Sequence, residues 1–176
     1  MSRRPPFLLC VAALASAVAA CGGDGDGASG EELFGGEGLQ RAVGAVGEQA
    51  GEDASLLRIQ VTDRGAEFYR LGERTQGLIY ADGELTETEF QVIGAGALSE
   101  QAFPLSEVEP EAIDRLLDGA EDSSGEEVDP VAVTLERSPL DGELRWTLNA
   151  QGGIVFSAGP DGSDPAPAPA APQRGF

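Results

Sequence analysis

The chain has 176 residues, with 31 Asp and Glu against 11 basic residues, every one an arginine, and no histidine. A formal charge of −20 disfavours nucleic acid and anionic lipid headgroups as partners. Without His or Lys, and with Cys10 and Cys21 as the two thiols, it has no Ser-His pair, Cys-His pair, Ser-Lys dyad, Schiff-base lysine or His/Cys zinc site. Carboxylate chemistry and oxygen-ligated calcium are the site chemistries left open.

Arg3 and Arg4 precede an uncharged run, Phe7 to Ala20, that ends in small residues before Cys21. A basic start, an apolar run and a small-residue end predict an export signal over residues 1–20, cut between Ala20 and Cys21. The run is short for a bilayer span, which takes about 20 apolar residues. Ser2-Arg3-Arg4 with Phe7-Leu8 is similar to a twin-arginine signal. The spacing is one residue longer, however, and Pro5-Pro6 intervene, so the general secretory route is expected.

Val18-Ala19-Ala20-Cys21 resembles the lipobox of bacterial lipoproteins. The resemblance covers the first twenty-one residues. It implies lipidation of the Cys21 sulfur, cleavage just before Cys21, and a membrane anchor on the extracytoplasmic face of the cell. The alternative is an ordinary secretory signal with an incidental cysteine at the cut. Two acyl chains hold a soluble domain on a bilayer where one is marginal. Loss of the signal removes Cys10, and acylation of Cys21 leaves the mature domain without a thiol for a disulfide. The mature part then carries nine arginines against thirty-one carboxylates, a net of −22. A covalent anchor would supply the membrane affinity that such a charge denies.

Residues 21–35 are expected to be a lipid-anchored flexible linker. Asp24 and Asp26 with their glycines lack the further ligands of a calcium loop, so a solvated tether is preferred. Leu39, Ala42, Val43 and Val46 follow helical spacing, and Gly51 is a plausible stop. Leu57, Ile59 and Val61 alternate as a strand. Glu67 to Leu71, Gly77 to Ala81 and Leu85 to Val92 predict three more, with Asp82-Gly83 as a hairpin turn. Gly94 to Pro104 is expected to be a connector. Pro110 suits a helix start, and Ile113, Leu116, Leu117 and Ala120 carry the helical period. Glu121 to Asp129 predicts an acidic turn. Val131, Val133 and Leu135, then Leu144, Trp146 and Leu148, then Ile154 to Ala158 predict three strands. The Pro/Ala-rich residues 161–176 are expected to be a disordered tail.

A shift of 74 positions lays the first half on the second. Leu39, Ala42, Val43 and Val46 fall on Ile113, Leu116, Leu117 and Ala120. Gly51 falls on Gly125, and Leu57, Ile59 and Val61 on Val131, Val133 and Leu135. The fold class expected is α+β: a tandem repeat of a helix followed by an antiparallel β-meander, with two helices on one face of a sheet. The domain would span residues 36–160, its units about 36–93 and 108–160. One such unit is too small to bury a stable core alone. The element order resembles tandem PepSY-like helix-plus-sheet modules of exported bacterial proteins. No diagnostic motif matches, so no functional residue is carried over; the resemblance implies a binding or regulatory module.

Trp146, between Leu144 and Leu148, is expected in the core, and Tyr69 and Tyr80 at matching core or rim sites. Arg58, Arg70 and Arg145 fall on strands. Arg145 should face away from the helices, where an exposed arginine meets an acidic ligand or pairs with nearby carboxylates. Glu121, Asp122, Glu126, Glu127 and Asp129 lack calcium-loop spacing and are expected to be solvated. Glu67, Glu87 and Glu89 could be paired catalytic carboxylates, but nothing marks a raised pKa, and a solvated role is preferred. No catalytic residue, metal site or cofactor is therefore expected. The functional expectation is a membrane-anchored extracytoplasmic lipoprotein, a non-enzymatic protein- or ligand-binding module with an envelope protein partner. The alternative is a small-ligand carrier or carboxylate-based enzyme in the envelope.

Overall fold

A computed structural model describes residues 30–72, 76–89, 98–138 and 141–168. The signal, Cys10, the Ala20–Cys21 cut with its lipidation cysteine, and the Asp24/Asp26 stretch lie outside these residues. The elements in chain order are α1 (Gly30–Leu33), α2 (Gly36–Ala50), β1 (Ser55–Thr62), β2 (Gly65–Arg70), β3 (Gln76–Ala81), β4 (Glu84–Glu89), α3 (Leu98–Gln101) and β5 (Phe103–Pro104). They continue with α4 (Ala112–Ser124), β6 (Pro130–Arg137), β7 (Leu144–Ala150), β8 (Val155–Ala158) and β9 (Ala166–Pro167). The fold is α+β. Its antiparallel sheet runs β4-β3-β2-β1-β6-β7-β8-β9, with the short β5 also paired to β1.

Alternation along the strands sorts the side chains by face. On β7, Leu144, Trp146, Leu148 and Ala150 are buried, and Arg145, Thr147 and Asn149 between them are half exposed. At the centre of the sheet Ile59 pairs with Leu135 and Val61 with Val133, all four buried. Leu39, Ala42 and Val46 of α2 and Ile113, Leu116 and Ala120 of α4 join the same hydrophobic cluster as these strand residues. Both long helices therefore cover one face of the sheet. Burying each such Leu or Ile stabilises the fold by about 1.5–3 kcal/mol.

The helix ends follow from local chemistry. Gly51 and Gly125 stop α2 and α4, their N–H groups donating to the carbonyls of Gly47 (2.9 Å) and Glu121 (2.8 Å). Gly125 does so at φ 71°, where glycine is unstrained. At the other end of α2, the Gly36 N–H donates to Asp114 Oδ1 of α4 at 2.9 Å. A carboxylate from a distant helix thus satisfies an unpaired N-terminal donor and meets the positive end of the helix dipole. Gly38 is required by close approach, since a Cβ there would overlap the Glu32 carbonyl oxygen. Asp82 (φ 52°) and Gly83 (φ 79°) make the expected left-handed hairpin turn between β3 and β4.

The structure departs from the sequence reading in several places. The domain begins before residue 36: Leu33 and Phe34, assigned to the linker, are buried against the core. The expected 94–104 connector contributes Phe103 and the following Leu105 to the core, although residues 90–97 lie outside those described. The acidic stretch begins inside α4: Glu121 and Asp122 belong to its last turn, which runs to Ser124. Strict alternation also fails once in β1 and once in β6. A register irregularity between Leu56 and Arg58 buries Leu56 and leaves Leu57 half exposed. A second, between Pro130 and Ala132, turns Val131 outward. Each supplies one extra residue, which reverses the facing of its neighbours, as a β-bulge does.

Residues 161–168, expected to be disordered, belong to the fold. β9 pairs with β8, and the Ala168 N–H donates to the Val155 carbonyl at 2.8 Å. Arg115 Nε donates to the Asp161 carbonyl at 2.6 Å, and Ser123 Oγ to the Pro165 carbonyl at 3.4 Å. Pro165 lies directly over Gly119, where any Cβ would collide with its ring. Truncation after Pro160 is predicted to cost about 2 kcal/mol, from hydrogen bonds worth about 1 kcal/mol each. That corresponds to a fall of roughly 4–8 °C in Tm by thermal unfolding. Truncation after Ala168 should leave Tm unchanged.

Candidate functional site: the uncovered sheet face

Because both long helices lie on one face of the sheet, the other face is available to a partner. Its residues come from the half-exposed positions of β2, β1, β6 and β7. Register sets them in two rows across the strands. In the first, Tyr69 lies opposite Arg58, Arg58 opposite Glu136, and Glu136 opposite Arg145. In the second, Glu67, Gln60, Thr134, Thr147 and Ser157 follow one another.

The first row is locked by charge. Arg58 Nε donates to Glu136 Oε2 at 2.7 Å, and the guanidinium carbon stands 5.9 Å from the Tyr69 ring centroid, within cation–π range. Tyr69 Oη donates to Glu67 Oε2 at 2.8 Å, which ties the two rows together. Arg145 Nη2 donates to Asp141 Oδ2 (2.8 Å) and Glu143 Oε2 (2.6 Å), so the β6–β7 turn clamps it from one side. Partial burial, then the hydrogen bond and the charge of Glu67, raise the Tyr69 hydroxyl above its ordinary pKa. Asp141 is held below the usual carboxylate range, chiefly by the Glu143 N–H and also by Ser138 and Arg145. Exposed pairs of this kind contribute little to stability, about 0–1 kcal/mol each. Their consequence is orientation: each charge is held where a partner would meet it.

Of the residues singled out by sequence, Arg58, Arg145, Tyr69 and Glu67 come together on this face. Arg70 donates to Gln76 Oε1 at 3.5 Å at the end of β2. Tyr80 and Trp146 are buried on the helix side, Trp146 fully, with its Nε1–H donating to the Pro160 carbonyl at 2.9 Å. The three candidate carboxylates are not brought together. Glu87 is in register with Leu78, on the helix side of edge strand β4, and Glu89 shares its side of that strand. Glu67 lies on the uncovered face. In the acidic stretch, Glu121 Oε1 accepts from the Val128 N–H at 3.4 Å. Among the described residues no three carboxylates are placed to hold a metal ion, and no helix is long and apolar enough to cross a membrane.

Sequence reasoning passed over Arg137, Glu136 and Glu107. Arg137 donates to the carbonyls of Ala102 and Gly142, both at 3.2 Å, and to Glu107 Oε2 at 3.3 Å. It closes one side of a groove of about 850 Å³ that Ser106, Glu109, Leu144 and Arg145 also line. Two of its three hydrogen bonds go to the chain's own carbonyls, so it fastens the 102–107 segment to the end of β6. The alternation of β6 carried a signal for Glu136, which falls on the Arg58 side; nothing local marks the contacts of Arg137.

Comparison of the chain with protein-family models, with curated proteins and with solved structures finds no match. Function must therefore be read from the sheet face and the sequence.

The Tyr69 shift predicts an alkaline dependence. A hydroxyl whose folded pKa is raised contributes stability that is fully present below the unfolded value of about 10 and is lost as pH rises through the folded value. Urea unfolding between pH 8 and pH 11 should therefore show a declining limb that Tyr69→Phe flattens. The same change should cost about 1 kcal/mol or less at pH 7, the net worth of one hydrogen bond.

Proposed function

We propose that this protein is a lipid-anchored module of the bacterial cell envelope, held at the membrane through Cys21 on the extracytoplasmic side. It binds an envelope protein through the uncovered face of its sheet and performs no chemistry of its own. The observation that carries this reading is the ordered row Tyr69–Arg58–Glu136–Arg145 on a sheet face that no helix among the described residues covers. An open sheet face with fixed charges suits a protein surface better than a small molecule, which is held in a concave pocket. The export signal and the lipobox-like Val18–Cys21 supply the location. The carrier or carboxylate-enzyme reading gains least from the geometry, since Glu67 stands on the face opposite Glu87 and Glu89.

We further infer that the domain is a tandem repeat of a helix and a meander, related by 74 positions. The support lies in details beyond the shared periodicity. That shift carries the last residue of α2, Ala50, onto the last residue of α4, Ser124, and carries Gly51 onto Gly125. It also carries Leu57 onto Val131, the two extra residues at the strand irregularities. The β1–β6 pairing is centred on Gln60 opposite Thr134, residues also 74 apart. In this reading the units meet through their first strands, and the sheet continues across the junction.

Three experiments test these readings. Cys21→Ala should move the mature protein from the membrane fraction to the soluble envelope fraction; retention of the variant in the membrane would refute the anchor. In-cell crosslinking and affinity capture should recover a specific envelope protein with wild type. Arg58→Glu should reduce that recovery at least tenfold while leaving Tm within a few degrees, because the exposed pair it breaks is worth little. Equal recovery would remove the sheet face from the interface. For the repeat, residues 21–95 and 98–168 made as separate chains should each lack cooperative unfolding and regain it when mixed. A fragment folding stably alone would sink the shared-core model.

A further inference from the structure

We propose that one end of the sheet, marked by Val131 and Ile154, rests against the bilayer when the protein is anchored. The proposal deepens the lipoprotein reading and rests on it, naming the surface that faces the lipid. Val131 and Ile154 are the exposed large hydrophobic residues among those described, at 52% and 49% of their full exposure. Both are β-branched, and both stand at the same end of the sheet. Pro130, beside Val131, pairs with Ala150, and the Ala150 N–H donates to the Ile154 carbonyl at 2.9 Å. The two residues therefore stand on either side of Ala150, their backbones roughly two strand spacings apart, about 10 Å. The irregularity between Pro130 and Ala132 turns Val131 out, and the left-handed glycines Gly152 and Gly153, both at φ 79°, project Ile154.

The chain joins the fold at this same end. Phe34 lines a cavity of about 520 Å³ together with Asp63, Asp129, Val131 and Gln151. α1, which precedes Phe34, is four residues long, so the first described residue lies within one short helix of that cavity. Nine peptide units separate Cys21 from Gly30, a reach of at most roughly 30 Å. A tether of that length keeps the domain within about its own diameter of the lipid and favours the end it joins. At the high effective concentration that an anchor imposes, a small apolar contact is enough to select an orientation.

Charge decides what kind of contact this is. Asp63 and Asp129 border the patch, and the chain as a whole is strongly acidic. Anionic headgroups would oppose the approach, so the apolar pair and the anchor are the attractive elements. Added salt should not weaken the contact, and on anionic vesicles it should strengthen it. The proposed orientation leaves the Tyr69–Arg145 row on the flank of the sheet, accessible to a partner alongside the membrane.

The test uses the acylated full chain purified from membranes and reconstituted in phosphatidylcholine vesicles. Acylated Cys21 has no free thiol and Cys10 leaves with the signal, so a single introduced cysteine is a unique label site. A polarity-sensitive fluorophore on Ile154→Cys should shift to shorter wavelength and be quenched at least twofold more by spin-labelled lipid than the same probe on Thr86→Cys of edge strand β4. Val131→Asp in the Ile154→Cys protein should abolish that difference without releasing the protein from the vesicles. Anchored protein with equal quenching at both sites overturns the contact and leaves the lipoprotein reading standing. Protein without acyl mass on Cys21, and free of the membrane, overturns both. A probe shift that tracks protein density instead of lipid quencher assigns the patch to a second copy and overturns the bilayer contact.

Discussion

The pairing of β1 with β6 is the constraint on which the rest of this structure depends. Without it each helix-and-strand half would hold a helix over three or four strands with a raw hydrophobic edge. With it, Ile59, Val61, Val133 and Leu135 form an unbroken buried band across the middle of the sheet. The segments that precede β1 and follow β4 converge on that band. Leu33 and Phe34 reach it from the N-terminal side, and Phe103 enters through β5, which pairs with Ser55 and Leu56 at the start of β1. The Asp114 carboxylate then joins the two helices through the Gly36 N–H. Either half alone would bury a smaller fraction of its surface, because surface area outruns volume in a smaller domain.

That arrangement also explains why one face of the sheet stays polar. Strand alternation with period two gives each strand one apolar and one polar set, and two helices suffice to cover the apolar set. The remaining set needs no cover, only satisfied charges. Arg58 and Arg145 find theirs in Glu136, Asp141 and Glu143. In a chain with so few cations, each arginine sits among a surplus of carboxylates, so the face is held rigid by pairs that add little to stability. Such a surface is preorganised, which lowers the side-chain ordering cost of association.

Much of the element order was legible in the sequence because period two and period 3.6 are strong signals over six or more residues. The cap at Gly51, the Asp82-Gly83 turn, the buried Trp146 and the outward Arg145 all follow from local pattern. The failures share a cause. Leu56 was overlooked and Val131 misfaced because a single extra residue in a strand leaves no mark on composition. Phe103 and Leu105 lie in a stretch without periodicity, yet long-range pairing with Ser55 and Leu56 buries them. Composition alone predicts a disordered tail at the Pro/Ala-rich end. Pro165 instead packs over Gly119, a contact between residues 46 positions apart that no local window contains.

The bulges bear on function as well as on legibility. A strand that kept strict alternation through residue 131 would have buried Val131 beneath the helices and left that end of the sheet entirely polar. The extra residue places an apolar side chain at the rim, beside the point where the chain joins the fold. At the other irregularity, in β1, Leu57 is only half exposed. The two irregularities therefore differ, the one in β6 leaving an apolar side chain uncovered. That asymmetry costs hydrophobic burial, about 25 cal/mol for each Å² left in water. In a chain whose acidity resists a lipid surface, two such uncovered side chains near the tether would offset part of that repulsion. Their placement would then set which edge of the sheet points toward the membrane and which toward a partner.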